Sequence, residues 1–156
     1  MKNNQASNQL SALVLKGYEL VFFRKHLGME RVVPELGKVK ADYINNVLKP
    51  ELEKIDTQVS EMREAYAERT PAGKLKTNEA GEIQYGDKTA EIRAKFGDII
   101  GVDVILPIHD KAQFLTVRDI FNGLKQELDE DDTNVYLQVT EKLNSVDIKS
   151  LEFAKI

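Results

Sequence analysis

Residues 52–66 read LEKIDTQVSEMREAY, and this stretch decides the fold because its apolar side chains recur at steps of 3, 4, 3 and 4. Only a helix places residues with that spacing on one stripe, and the mean step is that of a coiled-coil seam. The stripe consists of Leu52, Ile55, Val59, Met62 and Tyr66. We therefore predict that it is buried against another helix or another chain, and that it binds a partner.

The helix that carries this stripe is predicted to extend from Glu35 to Arg69. Such a helix is roughly 50 Å long, whereas a compact domain of this chain length has a radius of gyration of about 15 Å. This comparison predicts an elongated chain. Pro50 lies inside the helix and removes the hydrogen bond to the carbonyl of Asn46. The apolar pattern continues across Pro50, which favours a kink; two helices that meet at Lys49 are the alternative.

A preceding helix is predicted to begin at Ser7 or Asn8, since either side chain can cap a helix. It would end at Leu27, with Gly28 in the following position, where glycine readily takes the left-handed conformation. Gly17 interrupts this helix and is its weak point.

Downstream of the long helix, two short alternating runs surround a glycine-containing turn between residues 74 and 85, which predicts a β-hairpin. A helix from Asp87 to Ile100 follows. Its predicted inner face consists of Ile92, Phe96 and Ile99. Residues 102–106, VDVIL, are the strongest strand signal in the chain.

The last third of the chain is predicted to be mostly helical. Thr116 and Asp119 have the spacing of a capping box, from which a helix would run to Leu128. Residues 133–143 favour another helix through steps of 3 and 4, and the alternation of Val135, Leu137 and Val139 leaves a strand as the alternative.

The predicted fold class is mainly α with a small β component. A single domain would comprise residues 1–145, followed by an apolar tail of residues 146–156. No internal repeat is recognised. The tail residues predicted to dock on a partner are Val146, Ile148, Leu151 and Phe153. The alternative is that the tail folds back on the core of its own chain.

Composition limits the classes of function. The 156 residues are 42% hydrophobic and 31% charged, as expected of a globular protein. The chain has no cysteine, which excludes thiolate metal sites and cysteine catalysis. A net charge of −4 argues against non-specific binding to nucleic acid. The most apolar window, residues 10–23, is too short and too charged to cross a membrane.

A search for chemistry finds no catalytic constellation. The two histidines, His26 and His109, lack companions at metal-ligand spacing. The acidic cluster of residues 127–132 lacks the glycine of a calcium loop. No P-loop, G-x-G-x-x-G or G-x-S-x-G motif is present. We therefore predict no catalytic residue, no cofactor, no metal and no small-molecule substrate, and we expect a protein that is not an enzyme.

A series of short motifs runs along residues 10–143. They are Leu15-Lys16-Gly17, Leu48-Lys49-Pro50-Glu51-Leu52, Ala65-Tyr66-Ala67-Glu68 and Glu79-Ala80-Gly81-Glu82-Ile83, then a helix around Phe96, a Val-x-Val-x-Leu strand and an acidic segment before Tyr136. This order resembles a family of small phage and prophage proteins, mainly of Gram-positive bacteria, that has no established activity. The resemblance implies a phage-type origin and a role in binding rather than in chemistry.

Two functions are consistent with these expectations. The first is a virion structural or assembly component that contacts copies of itself or other phage proteins. The alternative is a soluble accessory factor that binds and inhibits a host protein. Either role would place the protein in the host cytoplasm or in the virion, with other protein chains as partners and with no nucleic acid or membrane involved.

Overall fold

A computed structural model of the protein describes residues 12–147. The chain divides into two compact units, a division for which the sequence analysis had no signal. Within the described residues, unit 1 comprises 12–52 and 103–147, and unit 2 comprises 53–102. The architecture is mainly helical with a small β component, as predicted from the sequence. The β component is a two-stranded antiparallel sheet that was not predicted.

The sheet of unit 1 joins two segments that are distant in sequence. Strand β1 (Ala12–Lys16) pairs antiparallel with β2 (Asp103–Pro107), and Leu13 lies opposite Leu106. The prediction of a helix across residues 12–16 is therefore wrong. The segment alternates between buried and exposed side chains, and a strand distant in sequence supplies the backbone hydrogen bonds that a helix would have made internally. The predicted start at Ser7 or Asn8 lies outside the described residues.

Helix α1 (Gly17–Met29) begins at the residue that the sequence analysis identified as a weak point. It continues past Gly28, so the predicted end at Leu27 is two residues short. Gly28 is not among the residues with positive φ. The N–H of Glu30 closes the helix on the carbonyls of His26 and Leu27.

The long helix continues through Pro50. Helix α2 (Pro34–Tyr43) passes into a π-helical turn (Ile44–Leu48), which passes directly into α3 (Lys49–Tyr66). The N–H of Lys49 donates to the carbonyl of Ile44, five residues earlier. We attribute the π turn to Pro50, because a wider turn relieves the clash between the proline ring and the preceding carbonyls. Helical structure ends at Tyr66, three residues before the predicted end.

Two further helices complete unit 1. Helix α5 (Lys111–Asn122) is capped by Asp110, whose carboxylate accepts from the N–H of Gln113 at 3.0 Å. The predicted capping box at Thr116 is wrong, because that residue lies in the interior of the helix. Helix α6 (Glu130–Asn144) is a helix rather than the alternative strand, and Asp129 caps it. The acidic cluster supplies this cap and the first turn, where carboxylates stabilise the helix dipole.

The core of unit 1 is aromatic where α1 meets α5. The rings of Phe23 and Phe121 meet edge to face with centroids 4.9 Å apart. Phe22 makes a second edge contact with Phe121 and stacks on the buried His26 ring at 4.2 Å. The imidazole Nδ1 lies 2.6 Å from the Gln126 side-chain oxygen. His26 is thus held by packing and a hydrogen bond within the core.

Unit 2 contains an eight-residue turn that occurs twice. Residues 70–77 (TPAGKLKT) and 78–85 (NEAGEIQY) each place a glycine with φ near +80° at the fourth position, Gly73 at 83° and Gly81 at 82°. In each copy, the N–H of the first residue donates to the carbonyl of the fifth at 2.8 or 2.9 Å. Only glycine takes this φ without strain. The sequence analysis missed the repeat, because two copies that share only Ala-Gly are below what inspection detects.

The two copies close into a ring with the end of the preceding helix. Three backbone hydrogen bonds of 2.9 Å join three residues spaced eight positions apart along the chain: Glu68 donates to Gln84, Gln84 donates to Lys76, and Lys76 donates to Glu68. The predicted hairpin is present as an antiparallel bridge between Thr77 and Ile83. A 3-10 turn (Gly86–Lys88) then connects the ring to helix α4 (Thr89–Ile100).

Candidate functional site

An open groove of about 520 Å³ lies within unit 2. Three structural elements contribute to it: the C-terminal end of α3, the second eight-residue turn and the first half of α4. Its lining residues are Met62, Arg63, Gly81, Glu82, Ile83, Tyr85, Ile92, Arg93 and Phe96. The volume falls within the range of sites that hold a ligand or a few side chains of another protein.

The floor of the groove is apolar. Met62 and Ile92 are buried beneath it, whereas Ile83 and Tyr85 are half-buried. Phe96 lies one turn after Ile92 on α4 and is 39% exposed. The sequence analysis placed Phe96 on the inner face of its helix, and the structure places it on the groove instead. An aromatic ring exposed at an apolar groove is a typical feature of protein-binding surfaces.

The rim of the groove is charged. Arg63 follows Met62 on α3, and Arg93 follows Ile92 on α4, so each helix contributes a floor residue and then a guanidinium. Within residues 12–147, neither guanidinium has a hydrogen bond or an ion pair. The carboxylate of Glu82, also on the rim, accepts from the side-chain amide of Asn78 at 2.9 Å. The unsatisfied charge on this rim is therefore positive.

Tyr66, at the end of α3, has two neighbours near the start of α4. The Tyr66 hydroxyl donates to the carboxylate of Glu91, and this hydrogen bond is the main cause that raises the pKa of the Tyr66 phenol. The ammonium of Lys88 lies 5.9 Å from the centre of the same ring, within range of a cation–π contact. Gly86 permits the turn that leads into α4, because its φ of 59° is readily taken only by glycine.

Unit 2 has a small apolar core. All of its residues are described, and its buried apolar side chains of substantial size are Ile55, Met62 and Ile92. Unit 1 buries Phe23, Phe114 and many aliphatic residues by comparison. A unit of this size is marginally stable with so little burial. The groove adds apolar surface that is open to water, which a bound partner would cover.

The residues predicted to bind a partner are distributed over several environments. On the stripe of the long helix, Ile55 and Met62 are buried, and Leu52, Val59 and Tyr66 are half-buried. Met62 alone of these lines the groove. Val146 is buried within its own chain. For this residue, the alternative that the tail folds back on its own core is therefore the one that fits. Ile148, Leu151 and Phe153 lie outside the described residues.

Sequence reasoning missed the residues that give the groove its chemistry. Ile92 and Phe96 were recognised as one helical face, but no pattern indicated that Phe96 would be open to water. Arg63 and Arg93 stand at ordinary polar positions of their helices. No local signal marked them: neither arginine has an acidic residue three or four positions away, where an intrahelical ion pair would form, but Arg24 and Arg118 on other helices have none either.

Other candidate sites are less developed. A second cavity of about 320 Å³ in unit 1 is lined by Glu30, Arg31 and Lys125, among others. Glu30 is satisfied there by the backbone N–H of Lys125 and the amide of Gln126. Residues 12–147 contain no group of three or more His, Cys, Asp or Glu side chains placed to hold a metal. The same residues include no helix that is long and apolar enough to span a membrane.

Comparisons with protein-family models, curated proteins and solved structures find no match to this chain. The groove in unit 2 is therefore interpreted from its own geometry and chemistry.

Proposed function

We propose that the protein acts without catalysis, by protein–protein contact, and that the groove of unit 2 holds a segment of a partner protein. The observation that carries this proposal is the combination of a small core with an open apolar groove in one fifty-residue unit. Binding a segment there would bury the exposed part of Phe96 and extend the apolar core. Each Å² of apolar surface removed from water contributes about 25 cal/mol.

The construction of the groove supports binding of a chain segment. Its walls are two helices and a backbone turn, and the closed ring of hydrogen bonds at residues 68, 76 and 84 holds the turn in place. A preformed groove avoids part of the ordering cost that a flexible surface would incur on binding. The apolar floor supplies affinity, and the charged rim supplies orientation.

The resemblance noted from the sequence suggests a biological setting. We propose a virion structural or assembly component, located in the virion or in the host cytoplasm, whose partner is another protein of the same particle. A soluble factor that inhibits a host protein is the alternative. Quantitative mass spectrometry of purified particles distinguishes them: a fixed copy number per particle supports the first role, and absence from particles refutes it.

The groove itself is tested by selecting a random, mRNA-displayed peptide library against the full chain. We expect the selected peptides to share a bulky apolar side chain, and Phe96→Asp to abolish their binding. The matched control is Leu137→Asp, which alters another exposed apolar residue, 57% exposed on α6 of unit 1. It should leave binding unchanged.

Two results would refute this assignment. One is a library that yields no shared sequence. The other is a set of selected peptides that bind Phe96→Asp as well as they bind the wild-type chain. Thermal melting of both variants establishes that they are folded, which we expect because neither replaced side chain is buried.

A further inference from the structure

We infer that the partner segment held in the groove carries an acidic side chain next to a bulky apolar one, and that Arg63 and Arg93 bind its carboxylate. This inference rests on the proposed function and adds the chemical identity of the ligand. It follows from the charges on the rim, which the apolar floor does not explain.

First, both guanidiniums lack a partner among the described residues. In an intrahelical ion pair, an arginine faces a carboxylate three or four positions away. The positions three and four residues from Arg63 are Val59, Ser60, Tyr66 and Ala67, and those around Arg93 are Thr89, Ala90, Phe96 and Gly97. None of these is acidic. Other elements of the described chain do not supply a carboxylate to either guanidinium.

The second step is that two helices converge on the same arrangement. Consecutive helical residues point about 100° apart, so the residue after a floor residue is directed to the side of the groove. Met62 and Ile92 occupy the floor, and each is followed by an arginine. A side chain that enters the apolar floor would therefore have a guanidinium on the α3 side and another on the α4 side.

The third step concerns the chemistry of the ligand. A guanidinium presents a planar fork of donors that matches a carboxylate, and such pairs are stronger where apolar surface excludes water. Glu82 occupies another part of the rim, and its negative charge disfavours a carboxylate on that side. The arrangement thus selects an acidic residue and also orients the segment within the groove.

The experiment extends the random-peptide selection to a double variant, Arg63→Gln with Arg93→Gln, and to the control Lys95→Gln. Lys95 lies on the same helix as Arg93 but does not line the groove, and it has Glu91 and Asp98 within one turn. Wild type and control should enrich peptides with Asp or Glu close to a large apolar residue. The double variant should retain the apolar preference and lose the acidic one.

Affinity measurements with the most enriched synthetic peptide then give the size of the effect. Each arginine replacement should weaken binding about tenfold, and Lys95→Gln should change it by less than about twofold. Replacing the peptide's acidic residue by its amide should weaken binding to wild type by a similar factor and have little effect on the double variant. Binding to wild type should also weaken as the salt concentration rises.

The outcomes separate this inference from the proposed function. Peptides that share an apolar residue but no acidic one, and that bind all variants equally, would overturn the inference and leave the proposed function standing. Absence of any shared sequence would refute both. A wild-type chain that sediments as a dimer, with the dimer lost in Phe96→Asp, would show that a second copy occupies the groove and would also overturn the inference.

Discussion

The buried ion pair between Glu19 and Lys142 provides the sharpest test of how unit 1 is held together. Glu19, in the first turn of α1, is 1% exposed. One of its carboxylate oxygens accepts from the backbone N–H of Lys16 at 2.7 Å and from the Lys142 ammonium at 2.5 Å. The pair therefore connects β1, α1 and α6 through a single buried oxygen.

We expect Lys142→Met to be the most damaging single change at this site. Removing one partner of a fully buried pair typically costs about 3–5 kcal/mol, because the other charge stays buried without compensation. The Lys142 side chain is 37% exposed, and water at that end reduces the penalty, so we expect a loss of about 2–3 kcal/mol. Glu19→Gln keeps an acceptor for both donors and should cost less, about 1–2 kcal/mol.

The assay is urea unfolding followed by far-UV circular dichroism, since the chain has no tryptophan. The double variant should be more stable than the sum of the two single losses predicts, by about 1–2 kcal/mol of coupling. Asp103→Asn is the control: its ion pair with Lys16 is exposed on both sides, and its loss should have little effect. Additive single losses, or a Lys142→Met chain as stable as wild type, would refute this account of the pair.

Further predictions concern three other groups. Tyr43 is buried, and its hydroxyl has no hydrogen-bond partner among residues 12–147, so Tyr43→Phe should leave urea stability unchanged or raise it by about 1 kcal/mol; a clear loss would mean that the hydroxyl has a partner. Burial also raises the pKa of Tyr43 above its usual 10.0. Just above pH 10, Tyr43 therefore ionises in the unfolded chain but not in the folded one, so wild type should lose stability that Tyr43→Phe retains. Ile55→Asp should unfold or dissociate the protein in melting and sedimentation experiments, because Ile55 is buried. The control Gln58→Asp, on the exposed face of the same helix, should have little effect. Equal behaviour of the two variants would mean that the apolar stripe of residues 52–66 is not a packing surface. The ion pair with Lys16 lowers the pKa of Asp103 below its usual 3.8. The small contribution of this ion pair to folding stability is therefore present above pH 3.8 and lost as the pH falls through the lowered pKa. Wild type and Asp103→Asn should converge in melting temperature in acid, and a difference that persists there would contradict this prediction.

Features that depend on neighbouring residues along the chain were predictable. The apolar steps between Leu52 and Tyr66 specify a helix because each step is one helical turn, and that helix is present. The turn at Asn78–Gly81 was predictable because glycine takes a positive φ without strain. A strand was predicted at residues 102–106 from a run of β-branched and aliphatic residues, and it is present one residue later, at Asp103–Pro107, with the proline inside it.

The candidate site was only partly predictable. Met62 was identified as an apolar contact residue, and Ile92 and Phe96 as one face of a helix. The positive rim was not identified, because α3 and α4 are separated in sequence by the ring of turns, and no local pattern indicates that Arg63 and Arg93 reach the same groove. Neither arginine has an acidic residue one turn away, but Arg24 and Arg118 share that feature, so it did not mark the site.

The sequence by itself determined the helices, their periodic faces and the turns, since these depend on backbone preferences and on contacts within about one turn. The tertiary structure decided which residues make long-range pairs. Residues 12–16 are a strand because β2, about ninety residues later, offers free backbone groups along their length. Likewise, the groove exists because residues of α3, of the second eight-residue turn and of α4 line one cavity, and that arrangement is a property of the folded chain.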